Sequence, residues 1–157
     1  MKYKLTDVKI NFMGKTLFQI EAVKCFGDIV KGQKGGFIEK ESNLSQGGNA
    51  WVYGNAKVYG NAKVSGDAEV YGNAEVYGDA EVYGNADYLV IGPIGSRNDI
   101  TTFFKTANNE IKVSCGCFTG NIEEFLEKVN ETHGNNNYAK EYKTAVEIAK
   151  IHIFGGE

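Results

Sequence analysis

The stretch that decides the fold runs from Ala50 to Asn85 and divides without a gap into six hexads: AWVYGN, AKVYGN, AKVSGD, AEVYGN, AEVYGD and AEVYGN. Each hexad alternates Ala, a variable residue, Val, and Tyr or Ser, and then ends in Gly and Asn or Asp. Because side chains alternate across a strand, Ala and Val share one face, and the variable residue and Tyr share the other. Gly accepts positive φ, and Asn or Asp accepts the left-handed region. Each hexad is therefore predicted to be a short strand followed by a corner.

The spacing of the hexads leaves no room for antiparallel partners, so we expect the chain to coil with three hexads in each turn. Residues eighteen apart then lie above one another at about 4.8 Å. This places Lys57 over Glu75 and Lys63 over Glu81, with no like charges stacked. The valines form a narrow aliphatic core and the tyrosines point outward. The face with Trp51 is the most aromatic, and we expect the N-terminal segment or another subunit to cover it.

The Asn-Ala-x-Val pattern resembles the hexapeptide repeat of left-handed parallel β-helices, and GNAKVYGNAKV is similar to proteins carried by phages and prophages. In those proteins a solenoid lies between two fixed segments. The flanking similarity covers GGFIE at 35–39, NLSQ at 43–46, IGPIGSRND at 91–99 and VSCGCF at 113–118. The resemblance implies a mainly β fold: a short left-handed parallel β-helix (a hexapeptide solenoid), an N-terminal β cap and a small C-terminal α+β module. It also implies a homo-oligomer, with a trimer favoured.

Three segments follow: an N-terminal β cap over residues 1–49, the β-solenoid over 50–91 and the C-terminal module over 92–157. In the cap, Val8–Ile10 and Thr16–Val23 predict two strands around a turn, and Gly32–Glu41 leads into the first coil. The module reads as β-β-α-α after an apolar exit strand at Tyr88–Ile91 and a loop at Gly92–Arg97.

The elements of the module have distinct sequence signals. Its strands are predicted over 100–105 and 111–115. Asn121 and Glu124 form a variant capping box for the first helix, which Gly134 ends. The second helix is predicted from about Tyr138 to His152, and its apolar face comprises Tyr138, Tyr142, Ala145, Val146 and Ala149.

Composition and charge limit the classes of function. With 157 residues, a net charge of −3 and a pI near 5.5, the chain does not fit a general nucleic-acid binder, which needs a basic field. Its apolar runs are too short for a membrane-spanning helix, and MKYKLTDVKI does not read as a secretory signal. We expect a cytoplasmic location, in the host cell if the protein is phage-encoded. Three cysteines cannot all pair within the chain, which predicts thiols.

The loop GPIGSRND at 92–99 is the first candidate site. Gly95 lets backbone N–H groups approach an anion, Ser96 donates, and Arg97 supplies a two-pronged guanidinium, followed by Asn98. The alternative is a turn that joins two segments, with Arg97 paired to Asp99 or to an acidic helix. The loop lacks the GK[ST] ending of a P-loop.

Three residues farther along the chain complete the ligand-binding candidates. Phe118 can stack on a planar ligand, although an aromatic residue beside two strands is more often core. His133 has an alternative role as a cation at a helix C-terminus. Tyr138, with Lys140 and Lys143, completes an anion pocket if the second helix folds back over the loop.

Cys115, Cys117 and His133 are the candidates for a metal site or for a nucleophile with its base. Whether both thiols converge on one ligand depends on the backbone at Gly116, which can break the strand. No second closely spaced pair of ligands follows, and core packing is favoured. We expect no metal, no cofactor and no catalytic residue. The hexapeptide acyltransferases that the repeat resembles use a histidine base beside their coils, and the repeat here has none.

These observations favour a non-enzymatic oligomeric protein that binds a small anionic ligand. For a phage-type protein, the specific form of this hypothesis is an anti-defence sponge that sequesters a host nucleotide immune signal by stacking and arginine–phosphate contacts. The alternatives are a structural or protein-interaction solenoid, and an acyltransferase that brings His133 to a subunit cleft.

Overall fold

A computed structural model describes residues 1–155, and the chain divides into two compact units. The first unit comprises Met1–Asn85 and contains all six hexads. The second begins at Ala86, so the apolar strand predicted as the exit from the repeats belongs to it. Short 3-10 helices occupy Glu41–Asn43 and Asn85–Asp87.

The first unit opens with an antiparallel hairpin of β1 (Tyr3–Phe12) and β2 (Lys15–Ala22), and β3 (Lys34–Ile38) pairs antiparallel with β2. At the hairpin turn Met13 and Gly14 both have positive φ, 53° and 76°, as a two-residue turn of this hand requires. The two predicted N-terminal strands are therefore confirmed: β1 is longer than the sequence indicated, and β2 has the predicted length but begins and ends one residue earlier.

Each hexad contributes one strand of two residues. These strands are β4 (Trp51–Val52), β5 (Lys57–Val58), β6 (Lys63–Val64), β7 (Glu69–Val70), β8 (Glu75–Val76) and β9 (Glu81–Val82). They pair in parallel eighteen residues apart: β4 with β7, β5 with β8, and β6 with β9. Lys57 lies opposite Glu75 and Lys63 opposite Glu81, which confirms the predicted register.

The predicted fold class, a left-handed parallel β-helix, is nevertheless wrong for this structure. The strands of the first unit lie in three separate sheets: a mixed sheet in the order β1-β2-β3-β5-β8, and two-stranded sheets β4-β7 and β6-β9. Among the residues described, none of these sheets closes or continues as a solenoid. The physical reason is that six hexads supply only two strands to each row, while the antiparallel hairpin joins the β5 row through β3 and makes that sheet mixed.

The interior of the first unit is aliphatic, as the alternation predicted. The Ala and Val of every hexad are at most 1% exposed: Ala50, Val52, Ala56, Val58, Ala62, Val64, Ala68, Val70, Ala74, Val76, Ala80 and Val82. The backbone of β3 packs against this core so closely that a Cβ on Gly35 would lie 2.6 Å from the Val52 carbonyl oxygen. A side chain at that position would therefore displace the first hexad.

The N-terminal segment covers the most aromatic hexad. Trp51 is fully buried and makes edge contacts with Tyr3 and Phe26, at centroid distances of 6.4 and 5.4 Å. The buried Lys2 ammonium donates to the Ala50 carbonyl oxygen at 2.8 Å and lies over the Phe26 ring. The expected cover over Trp51 is thus supplied within the chain.

The hexad tyrosines do not all face solvent. Tyr71 and Tyr83 are about half exposed, but Tyr59 is only 5% exposed and packs in a cluster with Leu17 and Phe37. The expectation that the tyrosines point outward is therefore wrong for Tyr59, because the N-terminal hairpin lies over that row.

The second unit is an antiparallel sheet of four strands in chain order, followed by two helices. Its elements are β10 (Tyr88–Ile94), β11 (Asp99–Lys105), β12 (Ile111–Cys115), β13 (Phe118–Asn121), α1 (Ile122–His133) and α2 (Asn137–Phe154). The prediction omitted one strand, β13, and assigned β10 to the exit from the repeats. β10 also continues through Gly92 to Ile94, so the connecting turn is shorter than the predicted loop.

The helix ends follow the sequence signals. The Asn121 side chain accepts from the Glu124 N–H at 2.8 Å, and a Glu124 carboxylate oxygen accepts from the Asn121 N–H at 3.0 Å. This confirms the capping box, and Gly134 ends α1 as predicted. The core between sheet and helices contains Phe103, Val113, Phe125 and Tyr142. Tyr138, predicted on the apolar face of α2, is 42% exposed.

Neither helix of the described chain has the length and apolar character needed to cross a membrane.

Candidate functional site

A cavity of about 260 Å³ lies within the second unit, where the β10–β11 turn, the β12–β13 turn and both helices meet. It is lined by Ser96, Arg97, Cys115, Cys117, Phe118, Phe125, Lys128, Val129, Thr132, His133 and Tyr142. Among the described residues, the lining contains two lysine or arginine side chains, one histidine and no carboxylate. Its charge therefore suits an anion.

The β10–β11 turn brings the predicted loop residues to the cavity. The Asn98 N–H donates to the Gly95 carbonyl oxygen at 3.2 Å, so Ser96 and Arg97 occupy the tip of the turn. Gly95 has φ +77° and lies directly against the Tyr142 hydroxyl, where a Cβ would clash. Its N–H donates to the Glu141 carboxylate at 3.0 Å, which anchors the turn to α2.

Arg97 extends over the neighbouring turn instead of pairing with an acid. Its guanidinium nitrogen lies 2.7 Å from the position that a Cβ on Gly116 would take. Within residues 1–155, neither Arg97 nor Lys128 has an ion-pair partner. The Asp99 carboxylate accepts instead from the Ile100 N–H at 2.7 Å. The alternative in which Arg97 pairs with Asp99 or with an acidic helix is therefore not what the structure shows.

Aromatic rings form one side of the cavity. The Phe125 ring contacts Phe118 at a centroid distance of 5.4 Å and meets Tyr142 edge-on at 5.5 Å. His133 stacks nearly parallel to Tyr142, at 6.0 Å and 25°, and contacts Tyr138 at 5.5 Å. The rings support one another, so a planar ligand would meet a preorganised surface.

Tyr142 lies at the base of the cavity and is 6% exposed. Burial, together with its neighbours Cys115 and Glu141, raises the pKa of the phenol to about 12, although the charge of Arg97 acts in the opposite direction. The hydroxyl therefore remains protonated at neutral pH. It can act as a hydrogen-bond donor without adding negative charge to the cavity.

The structure brings together four of the seven predicted site residues in the lining: Ser96, Arg97, Phe118 and His133. Gly95 shapes the turn. Asn98 closes the turn through its backbone, with φ +50°, and is not in the lining. Tyr138 lies beside His133 and outside the lining.

The lysines proposed to accompany Tyr138 lie elsewhere. Lys140 lines a separate depression with Ile91 and Ile94. The Lys143 ammonium donates to the Asn135 side chain at 3.4 Å. The suggested contribution of Lys140 and Lys143 to the anion pocket is therefore wrong.

Three lining residues were missed as ligand candidates: Lys128, Thr132 and Tyr142. Lys128 and Thr132 belong to one face of α1 with Phe125, Val129 and His133. Their spacing of three and four residues was available in the sequence. The sequence did not show which face of α1 meets the β10–β11 turn.

The chain turns at Gly116, between the two cysteines. The φ of Gly116, +58°, lies in the left-handed region, this glycine interrupts the strands between Cys115 and Phe118, and both thiols line the cavity together with His133. Even so, within the described part of the chain no group of three or more His, Cys, Asp or Glu side chains is placed to hold a metal ion.

A larger cavity of about 460 Å³ lies at the start of α1, but its lining includes Glu110 and Glu123 besides Lys150. Its chemistry does not favour an anion. No protein-family model and no curated protein matches this chain.

Proposed function

We propose that the second unit captures a small anionic ligand carrying a planar group, and that it does so by binding without chemistry. The observation that carries the proposal is the cavity lining: Arg97, Lys128 and His133 face one space, and no carboxylate of residues 1–155 lines it. A cation without an ion-pair partner beside a partly apolar surface is a strong site for a charge-assisted hydrogen bond.

The lining has a cationic part and an aromatic part, and each would contact a different part of the ligand. Arg97 and Lys128 would hold the anionic group, and the rings of Phe118 and His133 would contact the planar group. Small-molecule sites commonly measure about 300–1,000 Å³, so a cavity of about 260 Å³ fits a compact ligand. A nucleotide combines both chemical features, and one nucleotide unit is the class we favour.

The resemblance to proteins carried by phages supports a specific role within this proposal: a sponge for a host nucleotide immune signal in the cytoplasm. The environment of His133 supports binding over catalysis, because its ring stacks on Tyr142 and contacts Tyr138. The expected trimer stays a prediction, which analytical ultracentrifugation of the full chain would test.

The test is titration of the full chain with nucleoside monophosphates, cyclic dinucleotides and inorganic phosphate, followed by calorimetry and thermal shift. We expect a nucleotide to bind more tightly than phosphate alone. Arg97→Ala should weaken that binding by at least about tenfold, because a hydrogen bond to a charged group contributes about 1.5–3 kcal/mol and 1.4 kcal/mol is a factor of ten.

Lys140→Ala is the matched control, because Lys140 is an exposed cation of the same unit outside the cavity. It should bind like the unmodified chain. The proposal fails if no anionic compound of the panel raises the melting temperature, or if Arg97→Ala and Lys140→Ala have equal effects.

A further inference from the structure

The β12–β13 turn carries a feature that anion binding does not use. β12 ends at Cys115 and β13 begins at Phe118, so Gly116 and Cys117 form the turn. On a continuous strand, side chains two residues apart share one face. The positive φ of Gly116 turns the chain between the two cysteines, and both thiols still line the same cavity.

The two thiols differ in access and in their partners. Cys115 is half-buried, and its sulfur accepts from the Thr101 hydroxyl at 3.4 Å and lies beside the Tyr142 hydroxyl. Cys117 is exposed and has no hydrogen-bond partner among residues 1–155. Cys117 is therefore the thiol that an external reagent reaches.

The charges around Cys117 favour reagents of one sign. The Arg97 guanidinium lies over Gly116, next to Cys117 in the chain, and Lys128 and His133 line the same cavity. A cleft lined by one sign of charge raises the local concentration of oppositely charged molecules by about 10 to 1,000-fold. An anionic reagent should therefore accumulate at this thiol.

We propose that Cys117 is a modification site for anionic disulfides, with glutathione disulfide as the representative, and that its modification blocks the cavity. The Cys117 thiolate attacks one sulfur of the reagent, and the reagent's S–S bond breaks as the new S–S bond to Cys117 forms. One glutathione half leaves as a thiolate and takes up a proton. Cys117 is oxidised to the mixed disulfide, and the departing half is reduced.

The blocking half of the proposal rests on the proposed function. A cavity of about 260 Å³ is smaller than most small-molecule sites, so a tripeptide attached at Cys117 leaves no room for a second anionic ligand. The carboxylates of the attached group would also take the positions at Arg97 and Lys128 that the ligand would use.

Three disulfides that differ in charge test the modification: anionic glutathione disulfide, neutral hydroxyethyl disulfide and cationic cystamine. Mass spectrometry of digested samples gives the rate at each cysteine, and the exposed Cys25 in the first unit serves as the reference in the same reaction. Relative to Cys25, Cys117 should react fastest with the anionic reagent, by about tenfold or more over the neutral one at low salt. It should react slowest with cystamine.

The double variant Arg97→Ala with Lys128→Ala should make Cys117 react with the three disulfides at similar rates and should leave the reaction rates of Cys25 unchanged. High salt should have the same effect on the unmodified chain. If Cys117 shows no preference for the anionic reagent, or keeps the preference in the double variant, the modification proposal is overturned.

The blocking step is tested in a Cys25→Ser background, which confines modification to the cavity. Glutathionylated protein should lose nucleotide binding, and dithiothreitol should restore it. If the glutathionylated protein still binds nucleotide, the blocking half of the proposal is overturned and the modification site remains. If the untreated chain binds no anion but Cys117 still selects the anionic disulfide, the proposed function has failed and the modification site remains.

Discussion

The two units of this protein use opposite means to order their chains. In the first unit, six nearly identical hexads stack at one separation of eighteen residues, and small apolar side chains fill the interior. In the second unit no segment repeats, and individual contacts, such as the Asn121 capping box and the Gly95–Tyr142 approach, fix the elements. The unit without repeats is the one that holds the anion-suited cavity.

This difference shows what repetition supplies and what it leaves out. A repeat places equivalent side chains in rows, which specifies register but gives neighbouring levels the same chemistry. A binding site needs unlike groups directed at one point. The second unit assembles cations from a turn and a helix with rings from a strand and a helix, and that combination requires several non-equivalent elements.

The largest expected effect is loss of the first unit's order on placing one charge in its interior. Val70→Asp leaves an unpaired carboxylate at a fully buried position, which costs several kcal/mol or more, so we expect the first unit not to fold. Asn73→Asp adds the same charge at an exposed corner and should fold normally. Circular dichroism and urea unfolding compare the two. A folded Val70→Asp chain would contradict the packing described for the hexads.

The next effect tests how closely β3 packs against the hexads. Gly35→Ala brings a Cβ to 2.6 Å from the Val52 carbonyl oxygen and 2.8 Å from the Trp51 ring, so it should lower the free energy of unfolding by about 1–3 kcal/mol. Gly84→Ala is the control, because its Cβ would meet nothing within 4 Å. Equal denaturation midpoints for the two variants would show that the close approach does not constrain the fold.

A smaller effect tests the individual contacts of the second unit. Asn121→Ala removes the side chain that accepts from the Glu124 N–H, which should cost about 1 kcal/mol of stability. Asn135→Ala, outside the helices, removes only an exposed hydrogen bond of 3.4 Å from Lys143, so it should stay within about 0.5 kcal/mol of the unmodified chain. Chemical denaturation followed by near-ultraviolet circular dichroism measures both. If Asn135→Ala lowered the free energy of unfolding more than Asn121→Ala, the loop between the helices would contribute more to stability than the capping box.

The last test measures the pH dependence of stability in the first unit. Burial, with the charge of Lys24 nearby, lowers the pKa of Lys2 from its ordinary value of 10.5 to about 8. Between these values the unfolded chain holds a proton that the folded chain has released. Stability from this group therefore rises with pH across that window, and the gain is absent below about pH 8.

Lys2→Met should remove that rise, and Lys9→Met, at an exposed position in β1, should retain it. Urea unfolding between about pH 7 and pH 10 measures the slopes. Parallel curves for the unmodified chain and Lys2→Met would refute the assignment to Lys2.

Much of the local order could be predicted from the sequence. The eighteen-residue register, the buried alanines and valines, the N-terminal hairpin and the caps of α1 all followed from alternation, charge complementarity and turn chemistry. The fold class did not follow, because the period specifies which hexads pair but not how the rows are divided among sheets. The pairing of β3 with β5 joins the hairpin to that row of hexads, and the hairpin buries Tyr59. Both features depend on contacts between residues that are far apart in the sequence.

The site was predicted in part for a similar reason. Ser96 and Arg97 stood out because they follow Gly92 and Gly95 in one loop, and Phe118 because it is an aromatic residue beside a strand. Lys128 and Thr132 looked like ordinary exposed helix residues. The rotation of α1 against the β10–β11 turn makes them part of the cavity, and no local pattern encodes that rotation.

The sequence by itself determined the hexad register, the aliphatic interior and the ends of α1, because each depends on interactions between residues at short or regular spacings in the chain. Tertiary structure alone decided the division into four sheets and the burial of Tyr59. It also decided that Arg97, Lys128, His133 and two thiols face one cavity, which no carboxylate of the described chain lines. Those outcomes depend on how separate elements pack, and packing between distant segments is set by the shape of the whole core.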